Sequence, residues 1–268
     1  MKKAQLVSLI KEKKSLLCVG LDTDLEKIPV SIRNSSKDPV FEFNKHIIDA
    51  TLDSAVSYKP NTAFYEAMGL KGWESLQKTI DYIGDKAFVI ADAKRGDIGN
   101  TSKMYAKAFF EEMKAHAVTV APYMGEDSVT PFLGYDGKWV IVLGLTSNKG
   151  SEDFQQLTLQ TNQKLYLEVI RKVASWGASD QLMFVVGATQ AEYIQSIRAV
   201  VPEHFLLIPG VGAQGGDLDA VCKYGVTKDG GLLINASRSI LYASSGNDFQ
   251  TAAAAEAEKM RVAMEKYI

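Results

Sequence analysis

Three charged residues at short spacing directly follow a short apolar run. Residues 87–91 are Ala-Phe-Val-Ile-Ala, and Asp92, Lys94 and Asp97 come next. Side chains two residues apart on a strand point to the same side, so a strand here would turn Asp92 and Lys94 toward one pocket. Burying charge is costly unless opposite charges pair. A lysine held by carboxylates stays an ammonium, and a positioned ammonium is a proton donor rather than a nucleophile.

Short apolar runs alternate with amphipathic stretches along the chain, which predicts eight strands separated by helices. The strands are predicted at residues 16–21, 55–59, 87–94, 117–121, 139–145, 183–187, 205–209 and 231–235. The helices are predicted at 40–52, 73–83, 103–114, 162–175, 190–200, 218–224 and 251–267. This alternation indicates an α/β protein, a single-domain (β/α)₈ TIM barrel over residues 1–268, since such a barrel commonly needs ~250 residues.

The carboxyl ends of the strands are where a barrel of this kind places its chemistry. Lys59 ends the predicted second strand and is expected beside Asp92 and Lys94, because neighbouring strands lie about 4.8 Å apart. A purely structural network of ion pairs capping the barrel is the alternative, and the spacing leaves both open. Asp97 also has a second interpretation, because aspartate is favoured at helix N-caps.

Glycine-rich and basic sequence follows the predicted seventh and eighth strands. Gln214 lies in a loop with glycines at 210, 212, 215 and 216, whose backbone N–H groups can approach a ligand closely. Arg238 follows strand eight and can pair bidentately with an oxyanion. Loops after these two strands are the usual phosphate site of the barrel, so we expect phosphate binding here. The alternative is a flexible turn beside an exposed helix arginine.

Asp22 ends the predicted first strand, where it could accept hydrogen bonds from sugar hydroxyls or simply form a turn. Lys and Arg number 30 against 32 Asp and Glu, a balance that argues for neither nucleic acid nor an anionic membrane as partner. No apolar run reaches the ~18 residues of a membrane span, and no secretion signal is evident, so a cytoplasmic protein is expected. Cys18 and Cys222 lie in apolar sequence, typical of free buried thiols rather than of a disulfide or metal pair. No metal-ligand cluster and no dinucleotide or Walker fingerprint occurs, so no metal or cofactor is expected.

The segment from Asp92 to Thr101, Asp-Ala-Lys-Arg-Gly-Asp-Ile-Gly-Asn-Thr, resembles the signature of the orotidine 5′-phosphate decarboxylase family. The resemblance extends over the whole chain, because Lys59, the Pro-Gly-Val-Gly-Ala-Gln loop at 209–214 and Arg238 follow in the family's order. The length and the Asn-Ala-Ser-Arg sequence at 235–238 resemble the longer bacterial branch. One departure is Ser237, where many members carry glycine before the phosphate-binding arginine.

The resemblance implies cofactor-free decarboxylation of orotidine 5′-monophosphate (OMP) to UMP and CO₂, the last step of de novo pyrimidine synthesis. It also implies a homodimer with shared active sites, each reached by residues of the partner. Lys59, Asp92, Lys94 and Asp97 would form an alternating charged tetrad, with Lys94 as proton donor to C6 and Asp92 near the substrate carboxylate. The implied substrate-binding residues are Asp22 and Thr101 for the ribose hydroxyls, Ile98 beside Asp97 and Thr101 in the partner's site, Ser147 for the pyrimidine edge, and Gln214 and Arg238 for the 5′-phosphate.

Two other functions remain open on the sequence. A 3-keto-gulonate-phosphate decarboxylase or hexulose-phosphate synthase would share the Asp-x-Lys pair but would depend on Mg²⁺, so insensitivity to chelators separates it from the first function. A noncatalytic barrel that binds a phosphate ligand would show no turnover of OMP.

Overall fold

Eight parallel strands close into a barrel in the computed structural model of this chain, which describes residues 1–187, 191–210 and 217–268. Each strand pairs with the strands before and after it along the chain, and the first pairs with the last. The strands are β1 (Leu17–Gly20), β2 (Ser57–Lys59), β3 (Phe88–Arg95), β4 (Ala117–Val120), β5 (Trp139–Leu145), β6 (Leu182–Val186), β7 (Phe205–Pro209) and β8 (Leu232–Ala236). The single-domain (β/α)₈ fold predicted from the alternation is confirmed.

Helices connect the strands and cover the outside of the barrel. Within the described part of the chain they are α1 (Lys3–Lys13), α2 (Val30–Ser35), α3 (Pro39–Thr51), α4 (Thr62–Glu66), α5 (Leu70–Ile83), α6 (Gly99–Lys107), α7 (Leu165–Ala174), α8 (Ala191–Val200), α9 (Leu218–Gly225), α10 (Arg238–Leu241) and α11 (Phe249–Glu265). A π-helical turn, Ala108–Glu112, continues α6. None of the helices in these residues has both the length and the apolar character needed to cross a lipid bilayer.

The strands are apolar because a parallel barrel is covered on both faces. At its amino end, which we call the floor, the first residues of β3, β5 and β7 form an aromatic layer. Phe88 and Phe205 each meet Trp139 edge-on, with ring centroids 6.0 Å apart. All three are fully buried, and alternate strands supply them, as expected for a packed barrel interior.

The strand predictions agree with the structure to within about two residues, and β5 and β7 match at both ends. Helix α1 was not predicted, because only Leu6 and Ile10 of its residues are buried and its apolar pattern is weak. The short helices α2, α4 and α10 were also missed. The predicted helix over 103–114 in fact begins at Gly99, and its second half is the π-helical turn.

Candidate active site

Ion pairs link β2 and β3 at the carboxyl end of the barrel, which we call the mouth. The two oxygens of Asp92 accept hydrogen bonds from different lysines, Oδ2 from Lys59 Nζ at 3.0 Å and Oδ1 from Lys94 Nζ at 2.7 Å. Lys59 and Asp92 are buried, whereas the Lys94 side chain is 49% exposed. The carboxylate is therefore enclosed, and the outer ammonium is open to a ligand.

Asp22 extends this series of charges from the end of β1. Its Oδ1 lies 3.7 Å from Lys59 Nζ and is buried without a hydrogen-bond partner among the described residues. The turn that carries it is fixed by two tyrosines, since Tyr65 donates to the carbonyl of Leu21 at 3.0 Å and Tyr242 to that of Asp22 at 3.3 Å. The Asp22 side chain as a whole is 21% exposed, so the carboxylate is held at a rigid position from which a ligand hydroxyl can donate to it.

The electrostatics of the mouth keep the inner groups ionised. Burial by itself raises the pKa of Asp92, but the ammonium groups of Lys59 and Lys94 outweigh it, and the pKa lies well below its usual value. Burial likewise lowers the pKa of Lys59, but Asp92 and Asp22 outweigh it and raise that pKa above its usual value. Both groups are therefore charged at neutral pH, although both are buried.

Lys94 has an unusual backbone conformation. Its φ is 46°, in the left-handed region, and the pairing of β3 with β4 shifts register between Ala91 and Arg95. The simple alternation of a strand therefore does not hold at Lys94. Its N–H donates to Thr119 Oγ1 at 2.8 Å, and the Thr119 hydroxyl donates to Asp92 Oδ1 at 2.9 Å. Sequence reasoning missed Thr119, although it is the lone polar residue of β4 and is fully buried.

Asp97, Ile98 and Thr101 lie on the connection from β3 to α6. Asp97 is half-buried, and its Oδ1 accepts from the N–H of Ile98 at 2.8 Å. Among the described residues no ion pair joins it to Lys59 or Lys94. The N-cap of α6 is Ile98, so the interpretation of Asp97 as an N-cap is wrong. Ile98 and Thr101 are exposed. Within one chain, these three residues stand apart from the charge network.

A pocket of about 220 Å³ opens at the mouth between β1, β2, β3, β7 and β8. Asp22, Lys59 and Asp92 line one side of it, and Gly210 and Arg238 line the other. Arg238 begins α10, is exposed, and has no ion pair within the described part of the chain. The structure thus brings Asp22, Lys59, Asp92 and this guanidinium to one cavity, whereas Lys94 is not among the residues that line it.

The predicted phosphate site comprises the glycine-rich loop after β7 and the residues around Arg238. Gln214 and the glycines at 212, 215 and 216 lie outside the described residues. Ser237 is packed against β1, because a Cβ placed on Gly20 would come within 1.9 Å of its Oγ. Asn235 Nδ2 also donates to Ser237 Oγ at 3.3 Å. The serine that departs from the family pattern therefore fits a space that Gly20 provides.

Ser147 is the second residue after β5 and is half-buried. A Cβ on Gly187 would come within 2.6 Å of the Ser147 nitrogen, so the ends of β5 and β6 approach closely here. The preceding residue, Thr146, is braced by Gln155, which accepts from its N–H and donates to its Oγ1, both at 2.8 Å. Ser147 is not among the residues that line the pocket.

In residues 1–187, 191–210 and 217–268, no group of three or more histidine, cysteine or acidic side chains is arranged to hold a metal ion. The acids at the mouth face ammonium groups instead.

Comparison with known proteins identifies the family. The profile described as "Orotidine 5'-phosphate decarboxylase / HUMPS family" matches residues 15–255, nearly the whole barrel. The chain belongs to this family. The family resemblance carried by the segment from Asp92 to Thr101 is thereby confirmed.

Similar proteins within the family share one name. The orotidine 5′-phosphate decarboxylase of Phocaeicola vulgatus is 57% identical over 270 residues, covering 99% of this chain and 98% of that protein. That of Christiangramia forsetii is 59% identical over 261 residues, covering 96% and 95%. The solved structure of Leishmania donovani OMP decarboxylase superposes with a TM-score of 0.81 at 36% identity, covering 98% and 99%. The chain is thus an enzyme of the orotidine 5′-phosphate decarboxylase family along its full barrel.

Proposed function

We propose that this protein converts OMP to UMP and CO₂ without a cofactor, the last step of de novo pyrimidine synthesis. The observation that carries the proposal is the buried carboxylate of Asp92 between two ammonium groups, that of Lys59, which lines the pocket, and that of Lys94, whose side chain is 49% exposed. High identity to relatives named for this activity supports it.

The proposed reaction is a substitution of a carboxylate by a proton at C6 of the pyrimidine. The bond from C6 to the carboxylate breaks, CO₂ leaves, and the electron pair stays on C6. Lys94 Nζ then donates a proton to C6 and becomes a neutral amine, which solvent reprotonates. No cofactor accepts the electrons, so the charges of the site must stabilise the developing carbanion, and the nearby ammonium of Lys94 is the group placed to do so.

The two ends of the substrate would be held on opposite sides of the pocket. Arg238, with Gln214, is proposed to bind the 5′-phosphate, since an unpaired guanidinium is a strong partner for phosphate oxygens. Asp22, which lines the pocket, is proposed to accept from a ribose hydroxyl. Ser147 is proposed to bind the pyrimidine edge. Binding energy from the distant phosphate would then help to hold C6 against Lys94.

A homodimer with shared sites is part of the proposal. Asp97 forms no ion pair with Lys59 or Lys94 among the described residues, and Ile98 and Thr101 are exposed. All three are proposed to enter the partner's site, with Asp97 completing the tetrad and Thr101 binding ribose. Exposed apolar side chains near this connection support an interface: Ile98, Met104, Tyr123 and Met124. Exposed apolar patches of this kind mark protein contacts.

We also propose that the single barrel domain extends over residues 1–268 and that the protein has a cytoplasmic location.

The deciding experiment follows the absorbance loss of OMP with pure, EDTA-treated protein. Turnover without added metal is the expected result. Activity that EDTA abolishes and Mg²⁺ restores would instead favour a sugar-phosphate enzyme of the same family, and UMP binding without turnover would favour a binding protein. Sedimentation velocity of the wild type and of Ile98→Asp tests the dimer, and a monomeric wild type would contradict it.

A further inference from the structure

Thr119 occupies a central place between the two charged residues of β3. A threonine hydroxyl has one proton to donate and lone pairs to accept. Thr119 uses both functions at once, because it accepts from the Lys94 N–H at 2.8 Å and donates to Asp92 Oδ1 at 2.9 Å. The same oxygen of Asp92 accepts from Lys94 Nζ at 2.7 Å.

These three hydrogen bonds close a ring. It runs from the Lys94 backbone to Thr119, on to Asp92, and back to Lys94 through its own ammonium. The backbone of Lys94 is therefore bonded to Thr119 and its ammonium to Asp92, and these two side chains are bonded to each other. A half-exposed lysine would otherwise be free to adopt many rotamers, which cost up to about 2 kcal/mol of entropy to restrict.

The ring also explains the backbone of Lys94. A residue with a Cβ pays about 1–2 kcal/mol to adopt the left-handed conformation, so it stays there only where its surroundings require it. At φ 46° the Lys94 N–H reaches a hydroxyl on the neighbouring strand, at the point where the β3–β4 register shifts. The Thr119 hydroxyl supplies the one described hydrogen bond that holds this N–H.

We propose that Thr119 is a positioning residue for the proton donor of the proposed reaction. It acts through Lys94 and Asp92 and does not touch the substrate. Through the Lys94 N–H and Asp92, its hydroxyl is proposed to hold Lys94 Nζ at the right distance from C6 of the bound substrate. Small misplacements of a reacting group are known to cost large factors in rate. This inference rests on the proposed function and adds a residue to it.

The test compares Thr119→Val, which keeps the shape and removes the hydroxyl, with Thr119→Ser, which keeps the hydroxyl. We expect the valine variant to lower kcat for OMP about 30-fold, with KM and the Kd for UMP changed less than about threefold. The serine variant should stay within about threefold of the wild type in kcat. A fall in kcat without a fall in binding, reversed by serine, is not the signature of general destabilisation.

Thr51→Val is the matched control. Thr51 is also a buried threonine whose hydroxyl makes two hydrogen bonds, to the carbonyl of Ile47 and to the Tyr58 hydroxyl, but it lies on α3 outside the barrel wall. We expect it to lose stability and to keep the kcat of the wild type.

The outcomes separate the two claims. If the wild type turns over OMP and Thr119→Val matches its kcat, the positioning role is overturned and the proposed function stands. Equal losses in the valine and serine variants would also overturn it, because the hydroxyl would not be the cause. If the wild type does not turn over OMP, the proposed function fails first. Should Thr119→Val not fold, Thr119→Ala carries the same expectation, and failure of both to fold makes Thr119 a structural residue and overturns the inference.

Discussion

Ionisable groups are buried at both ends of the barrel, but the two ends treat them in opposite ways. At the mouth, Lys59 and Asp92 are buried as an ion pair 3.0 Å apart, and each holds the other in its charged form. At the floor, His116 is buried just before β4, with Nδ1 accepting from the Val89 N–H at 3.0 Å and its ring stacked on Phe88. Burial, aided by nearby positive charges, lowers the pKa of His116 to about 4, so this group is neutral at pH 7.

The difference shows what partners do to a buried group. Burial opposes charge at both ends, and only a well-placed opposite charge reverses its effect. At the floor, the nearest acid is Asp85, whose carboxylate is fully exposed and 3.3 Å from Nε2, so it is too well solvated to hold a buried imidazolium. At the mouth the opposing charges are themselves enclosed and border a pocket. The buried groups at the mouth are therefore charged, where a ligand can bind, and the buried histidine at the closed floor is neutral.

The largest expected effect is the loss of the open ammonium at the mouth. Lys94→Ala removes the proposed proton donor, and kcat for OMP is expected to fall by about 10⁴-fold or more, at the upper end of what one acid–base group contributes. Binding of UMP should remain measurable by calorimetry, because the phosphate contact is untouched. Near-normal turnover in this variant would remove Lys94 from the mechanism.

Breaking the buried pair should be the next largest effect. Asp92→Asn leaves the buried ammonium of Lys59 without its closest carboxylate, and removing one partner of a buried pair typically costs about 3–5 kcal/mol. We expect a loss of this size in the free energy of unfolding by urea, together with loss of turnover. A variant as stable as the wild type would show that the mouth does not depend on this pair.

The neutral histidine buried at the floor should make the stability of the protein depend on pH. His116 has a folded-state pKa of about 4 against an ordinary value of 6.5, so the unfolded chain binds the proton more readily. Its stabilising contribution is therefore complete above pH 6.5 and is lost as the pH falls toward 4, by about 3 kcal/mol at 1.36 kcal/mol per pKa unit. His116→Asn keeps an acceptor for the Val89 N–H and cannot titrate.

The measurement is the free energy of unfolding of wild type and His116→Asn between pH 4 and 7. The variant should lose less stability than the wild type across this range, by up to that amount. His204, whose pKa burial also lowers to about 4, is present in both proteins and cancels from the difference. Parallel pH curves would contradict the assignment.

Arg238, which has no ion pair within residues 1–187, 191–210 and 217–268, tests whether a positive charge at the mouth serves binding. Arg238→Ala should lower kcat/KM for OMP by about 100-fold, consistent with the loss of charge-assisted hydrogen bonds of about 1.5–3 kcal/mol. With orotidine, which lacks the phosphate, variant and wild type should be equally slow. An equal loss on both substrates would mean that Arg238 does not bind the phosphate.

The smallest effect is expected at an exposed ion pair near the floor. Lys2 and Asp136 lie 3.0 Å apart with both side chains largely exposed. Asp136→Asn should leave the urea midpoint and kcat unchanged, because exposed pairs contribute little. A clear loss of stability here would weaken the contrast with Asp92→Asn.

Much of the fold was predictable because strands of a parallel barrel are short, apolar and regularly spaced. In β5 and β7, for example, all residues but one in each strand are buried. Helix α1 was not predictable in this way. Only two of its residues, Leu6 and Ile10, are buried, so its sequence resembles that of an exposed segment.

The candidate site was predictable in its composition and less so in its geometry. Asp22, Lys59, Asp92 and Arg238 each lie in or just after the carboxyl-terminal half of a strand. Strand ends meet at one rim, so their convergence follows from topology. Thr119 was missed because its hydrogen-bond partners, Lys94 and Asp92, lie on the neighbouring strand β3 and not near it in sequence. The role of Asp97, Ile98 and Thr101 also lies beyond the pattern of one chain, since Ile98 and Thr101 are exposed and no ion pair among the described residues joins Asp97 to the lysines of the mouth.

The sequence by itself determined which residues carry charge, the order in which they leave the strands, and the barrel that gathers them. Those properties depend on composition and periodicity, which are local. Only the tertiary structure decided that Lys94 bends into the left-handed region, that one hydroxyl from β4 joins it to Asp92, and that Asp22 keeps an unsatisfied oxygen. These depend on distances between strands and on exclusion of water, which arise once the chain has closed on itself.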